Sequence, residues 1–138
     1  MSRILAVAVA ALLALPAVAS AKLVSFHTPS GNIQCLFAKL QGTRAGLRCE
    51  IRVQDNPQAP KPANCDLDYG DAYGLGPHGR AGRVCHGDTV ADPNGRVLDY
   101  GTHLTFHGMT CRSKTSGLRC FNRSGHGFQL SRSAQFLF

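Results

Sequence analysis

The chain of 138 residues has no tryptophan and one glutamate, Glu50. Without tryptophan the usual sugar-stacking platform is missing, and Tyr69, Tyr73 and Tyr100 are left for that work. With a single glutamate, the paired carboxylates of glycoside hydrolysis have little to draw on, and Glu50 stands between Arg48 and Arg52 on what reads as a strand's polar face. No C-x-x-C occurs, so zinc ribbons and thioredoxin-like redox motifs have no support. G-x-S-x-G, H-E-x-x-H and phosphate-binding glycine loops are also missing. Beyond residue 21 no apolar run is long enough to span a bilayer, and no window sustains helical periodicity. These absences leave a small, non-helical domain with no standard catalytic signature.

The first 21 residues read as a cleaved leader. Arg3 supplies a positive charge, Ile4–Val18 is an apolar run broken only by Pro16, and Ala17-Val18-Ala19 or Ala19-Ser20-Ala21 fits a signal-peptidase site. The first cysteine is Cys35, far from that site, so no lipoprotein attachment is expected. Residues 22–138 then form one exported domain, periplasmic or extracellular. It carries fourteen basic and eight acidic side chains, a net +6 that is positive over 22–53 and 79–138 and negative over 54–78. Outside the cytosol such a balance points to anionic envelope polymers, lipid headgroups or an acidic protein rather than to nucleic acid.

Short alternating segments between glycine-bearing turns dominate. Leu47, Cys49, Ile51 and Val53 fall on one face and Arg48, Glu50 and Arg52 on the other, which predicts a half-buried strand. Leu104 with Phe106, Leu118 with Cys120, and Phe128 with Leu130 repeat the alternation. Turns are marked at Pro29-Ser30-Gly31-Asn32, Asp92-Pro93-Asn94-Gly95 and Thr115-Ser116-Gly117. Residues 54–64 (QDNPQAPKPAN) hold three prolines and read as a linker or an edge-hugging connecting loop between two β-rich parts. Phe136 and Phe138 are expected to dock a last strand into the core.

Six cysteines in an exported chain of this size imply three disulfides. Gly31-Asn32-Ile33-Gln34-Cys35 followed by Gly46-Leu47-Arg48-Cys49 is echoed by Gly108-Met109-Thr110-Cys111 followed by Gly117-Leu118-Arg119-Cys120. One hairpin design used twice favours Cys35–Cys49 and Cys111–Cys120, leaving Cys65–Cys85. The fold class is therefore mainly β: a small disulfide-stapled domain of short antiparallel strands, with two related Cys-closed hairpins.

Few residues stand out chemically. His86 and Asp88 would share a strand face within hydrogen-bonding reach, an acid/base pair with no visible nucleophile. His126 sits between Gly125 and Gly127, in a sharp turn. His103 and His107, four apart on a strand, would be about 13 Å from each other and could not share a metal. Asp66, Asp68 and Asp71 crowd a short stretch, but Gly70 and Pro77 occupy places where a calcium loop needs acids. No metal or cofactor is expected.

Five ordered pieces carry a family resemblance: Phe26-x-x-Pro29-Ser30-Gly31-Asn32-Ile33-x-Cys35; Gly46-Leu47-Arg48-Cys49-Glu50-Ile51; Cys85-x-Gly87-Asp88-Thr89; Leu98-x-Tyr100-Gly101; and Gly117-Leu118-x-Cys120-x-Asn122 with Gly125-His126-Gly127-Phe128. The chain resembles a family of small exported bacterial proteins known only as a domain of unknown function. The resemblance implies bacterial origin, export and a cysteine-stapled fold, and it transfers no functional residue.

The leading expectation is a monomeric, non-catalytic binding module for an anionic cell-envelope component or an acidic protein. Its candidate surface is drawn from Arg44, Arg48, Arg52, Arg112, Arg119 and Arg123, with Arg48 and Arg119 expected on a shared basic face because they occupy matching hairpin positions. The alternative is an inhibitor of an acidic exported enzyme. A third reading is a small hydrolase using His86, Asp88 or His126.

Overall fold

A computed structural model describes residues 14–16, 18 and 20–138, so the leader expected over 1–21 falls mostly outside the described residues. Among them are eleven strands and no helix. Strands β1 (Ala21–His27), β2 (Ile33–Leu40), β3 (Gly46–Ile51), β4 (Ala72–Leu75), β5 (Gly82–Arg83) and β6 (Arg96–Val97) make one sheet in the order β5-β4-β3-β2-β1-β6. Strands β7 (His103–Phe106), β8 (Met109–Lys114), β9 (Gly117–Asn122), β10 (Gly127–Leu130) and β11 (Gln135–Leu137) make a second, in the order β11-β10-β9-β8-β7. All pairings are antiparallel except the short β1–β6 contact, which is parallel.

The two sheets pack face to face over one core, because alternation puts every second residue of each sheet on the same side. Phe26, Ile33, Phe37, Leu47, Ile51, Tyr73 and Leu75 come from the first sheet, and Met109, Leu118, Phe128 and Leu130 from the second, all in one buried cluster. Phe37 stacks on Phe106 at 5.2 Å and Tyr73 meets Phe128 at 5.9 Å across the gap. Burying a side chain of this size contributes about 1.5–3 kcal/mol.

The three disulfides are Cys35–Cys49, Cys65–Cys85 and Cys111–Cys120, the pairing the hairpin echo favours. Cys35 stands directly opposite Cys49, and Cys111 opposite Cys120, with Cα atoms 4.1 Å apart in both pairs. That spacing belongs to the close, non-hydrogen-bonded positions of an antiparallel ladder. All four cysteines lie on the buried faces, at 1% exposure or less. The hairpins are the same device, placed once in each sheet.

Three sequence expectations change. The 54–64 loop does not separate two β-rich parts: β4, beyond it, returns to pair with β3 in the first sheet. The sheets divide instead between β6 and β7. The loop hugs the other layer, where Asp55 N donates to the Arg132 carbonyl at 2.9 Å and Asn56 bonds Gln135 at 2.8 Å. Phe136 is likewise not a core residue. It pairs with Gln129, whose neighbours Phe128 and Leu130 point inward, so Phe136 faces outward and is 60% exposed. Val53, beyond the end of β3, is also exposed.

Gly127 is required by close approach. A Cβ there would fall on the Cys120 carbonyl oxygen of the neighbouring strand.

Loop entropy alone ranks the middle disulfide first, since it closes the longest loop, 20 residues against 14 and 9. Burial reverses that order, because Cys85 is exposed whereas Cys111 and Cys120 are sealed in the core. Cys111→Ala with Cys120→Ala is therefore expected to lose about 4 kcal/mol, and Cys65→Ala with Cys85→Ala about 2–3 kcal/mol. Urea unfolding of the two double variants checks the order.

Candidate functional site

The structure separates the two arginines that the hairpin echo set together. Arg48 precedes inward-facing Cys49 in the first sheet and Arg119 precedes inward-facing Cys120 in the second. They therefore stand on opposite outer faces of the sandwich, and no shared basic face exists between them. Matching positions in two hairpins become opposite surfaces once the hairpins pack core to core.

Arg48 lies in a half-buried ionic network on the outer face of the first sheet. Its guanidinium donates to Glu50 Oε1 at 2.5 Å, to Asp88 Oδ1 at 2.8 Å and to the Asp88 carbonyl at 2.8 Å. Glu50, read from the sequence as a polar-face residue, is only 7% exposed. The segment after Cys85 folds over it: Thr89 Oγ1 donates to Glu50 Oε2 at 2.6 Å and Val90 N to Oε1 at 3.1 Å. Every oxygen of this buried carboxylate has a partner, as a buried charge requires. The hydrogen bond from Arg48 holds the Asp88 carboxyl below its ordinary range.

His86, also buried, bonds differently from expectation. Its Nδ1 meets the backbone carbonyl of Asp88 at 2.7 Å, while the carboxylate partner is Asp71, at 2.8 Å from Nε2. The Asp88 side chain has been taken by Arg48. An antiparallel bridge between Asp68 and His86, beside the Cys65–Cys85 disulfide, fixes this arrangement. Burial works against a charged imidazole here, but the bonds to Asp71 and to the Asp88 carbonyl outweigh it and raise the His86 pKa. Both ring nitrogens are thus engaged by oxygens within the fold. His126 belongs to the β9–β10 turn of the other sheet. Its Nδ1 meets the Phe138 carbonyl at 3.3 Å, and it shares no bond with the His86 network. Of the three residues of the hydrolase reading, His86 and Asp88 share this network and His126 lies apart from it.

Arg119 has the opposite environment. A register row crosses the second sheet's outer face as His103, Arg112, Arg119, Gln129 and Phe136. Arg112 and Arg119 are direct cross-strand partners, a like-charge pairing that costs a sheet stability. Aromatic rings offset part of that cost. Arg112 lies 5.5 Å from the centroid of Phe121, and Arg119 lies 4.0 Å from that of Phe138. Phe138 sits beyond β11 opposite Gly127, again outward rather than in the core. Lys114 completes the face with Arg112, around a depression of about 320 Å³ that also takes in Arg119, Phe121 and Gln129. No Asp or Glu occurs anywhere after Asp99, so the second sheet has no carboxylate side chain. Alternation in the sequence places Arg112, Arg119 and Phe121 on one strand face; only the register shows the arginines opposite each other.

Residues 7–138 match the model of a family described as a family of unknown function, DUF6636. The chain belongs to that family. No curated protein and no solved structure matches it. For this DUF6636 member the geometry must carry the functional argument. Among the described residues no group of three or more His, Cys, Asp or Glu could hold a metal ion, and no helix is long and apolar enough to cross a membrane.

The network makes two measurable demands. Glu50→Gln leaves Arg48 without its buried counter-charge and is expected to cost about 3 kcal/mol in chemical unfolding. The raised His86 pKa adds stability that is complete below the unfolded value of 6.5 and is lost as pH climbs through the higher folded value. Unfolding free energy should therefore fall on the alkaline side of 6.5, and His86→Ala should abolish that limb of the pH profile.

Proposed function

We propose that this protein is an exported, non-catalytic binding module for an anionic polymer of the cell envelope, and that it binds through the outer face of its second sheet. The observation that carries the reading is the Arg112–Arg119 pair: two cations held side by side on an open strand face, each against an aromatic ring, on a sheet with no carboxylate side chain. A fold that needed these residues only for solubility would place an acid beside one of them, as the first sheet does with Glu50 two residues along β3 from Arg48. Repeating negative charge supplies the missing partner along the whole row. Three disulfides and the apolar leader at residues 4–18 support a place outside the reducing cytosol.

The test is a salt titration of the oxidised protein on immobilised polyphosphate and on a uronate-rich polysaccharide. Affinity should fall steeply as salt rises, since exposed charges are screened. Arg112→Ala with Arg119→Ala should weaken binding about tenfold or more, whereas Arg96→Ala, on the edge of the other sheet, should change it little. Binding that ignores both salt and the double substitution would overturn the proposal.

A further inference from the structure

A second concentration of positive charge lies at one end of the sandwich, apart from the Arg112–Arg119 face. The β2–β3 hairpin, the β4–β5 connection, the β7–β8 turn and the β9–β10 turn meet there around a cleft of about 470 Å³. Five of its eight lining residues are basic: Lys39, Arg44, His78, His107 and Arg123, and none is acidic. The larger cleft at the opposite end, about 580 Å³, has three basic residues among thirteen, and one of them, Arg132, is already paired with Asp55. Among the described residues no salt bridge involves Lys39, Arg44 or Arg123.

Two independent features hold this cleft in shape. Asn122, 5% exposed, donates from Nδ2 to the carbonyls of Gly76 and Gly79 at 3.0 and 2.8 Å. Its Oδ1 accepts from Ser124 N and His126 N at 3.0 and 3.2 Å. One buried amide, fully bonded, thus clamps the His78-bearing loop onto the Arg123-bearing turn. The second feature is His107, the only non-glycine residue with positive φ (46°) among the described residues, followed by Gly108 at 84°. Both central residues of this two-residue hairpin turn are left-handed, a position that favours Asn-Gly. A histidine there is strained, and strain of this kind collects at functional sites. Gly108 also makes room for its neighbour, since a Cβ there would lie 2.6 Å from Arg123 Nε. The turn's backbone is therefore shaped to let the guanidinium lie across it.

We infer that this end cleft is a binding site for a compact, multiply charged oxyanion, a phosphomonoester or pyrophosphate group. Five basic side chains from four separate connections converge on a space ample for two phosphoryl groups. Lysine, arginine and imidazole donors are the side chains that satisfy phosphate oxygens. The site is independent of the polymer-binding face, so either can fail without the other.

The experiment is a titration of the folded, oxidised protein with inorganic pyrophosphate, followed by calorimetry and by the NMR signals of the histidine rings, with phosphatidate-bearing vesicles as a second arm. Saturable pyrophosphate binding is expected, with the shifts concentrated on His78 and His107. Lys39→Ala with Arg44→Ala, and separately Arg123→Ala, should each weaken it about tenfold or more, while Arg112→Ala with Arg119→Ala leaves it within about twofold. Vesicle binding that pyrophosphate competes away assigns the group to a lipid headgroup; pyrophosphate binding without vesicle binding assigns it to a soluble or polymer-borne phosphate. If the variants do not fold, the wild-type ring shifts decide alone. No saturation, or shifts centred away from His78 and His107, overturns the inference.

Discussion

Each sheet of this protein carries one cystine on its buried face, set directly across a ladder rung, and the rest of the architecture follows from that placement. A cross-strand disulfide needs the close, non-hydrogen-bonded pairing, so it fixes the register of β2 against β3 and of β8 against β9. Register in turn decides which side chains face the core, because a slip of one residue would turn every side chain over. With Cys49 inward, Leu47 and Ile51 are inward and Arg48 and Glu50 outward. With Cys120 inward, Leu118 is inward and Arg119 outward. The staples also matter energetically in a chain with few large apolar residues, where they constrain the unfolded ensemble that a larger core would otherwise have to outweigh.

The two outer faces solve the same electrostatic problem in different ways. On the first sheet, a loop folds over Arg48 and Glu50, excludes water, and must then satisfy every polar atom it covers. Thr89, Val90, Asp88 and His86 do so for the Glu50 carboxylate and for the two terminal nitrogens of Arg48, whose Nε is left buried without a partner. The result is a closed network whose members are occupied with each other. On the second sheet nothing covers the strands, so Arg112 and Arg119 stay in water, where like charges tolerate proximity. A closed face is structural; an open face of one charge is available to a partner. The end cleft shares this availability while being shaped by backbone clamps rather than by strand register.

Much of the fold was legible in the chain. Alternation around Cys49, Cys120 and Phe128 marked strands correctly because each has one face in the core, and the repeated Gly-Leu-Arg-Cys gave the disulfide pairing. The turn at Pro29–Asn32 was equally plain. Less was legible where contacts are long-range. His86 and Asp88 were close enough in sequence to suggest a bond between side chains, yet Asp71 and Arg48, fifteen and forty residues away, took those partners. Phe136 and Phe138 read as core residues, but an edge strand's alternation put both outside, Phe138 against Arg119.

The sequence by itself determined the β class, the cysteine pairing and the uneven distribution of charge, since these depend on residues near one another along the chain. Only the tertiary structure decided which charges are neighbours. Arg48 and Arg119 hold identical places in two copies of one hairpin and would be equivalent if each hairpin stood alone. Packing the copies core to core turned one outward face away from the other, closed the first with a loop and left the second open. The same packing gathered Lys39, Arg44, His78, His107 and Arg123 from four turns at one end. No local pattern carries that information, because it arises from how two sheets meet rather than from how either is written.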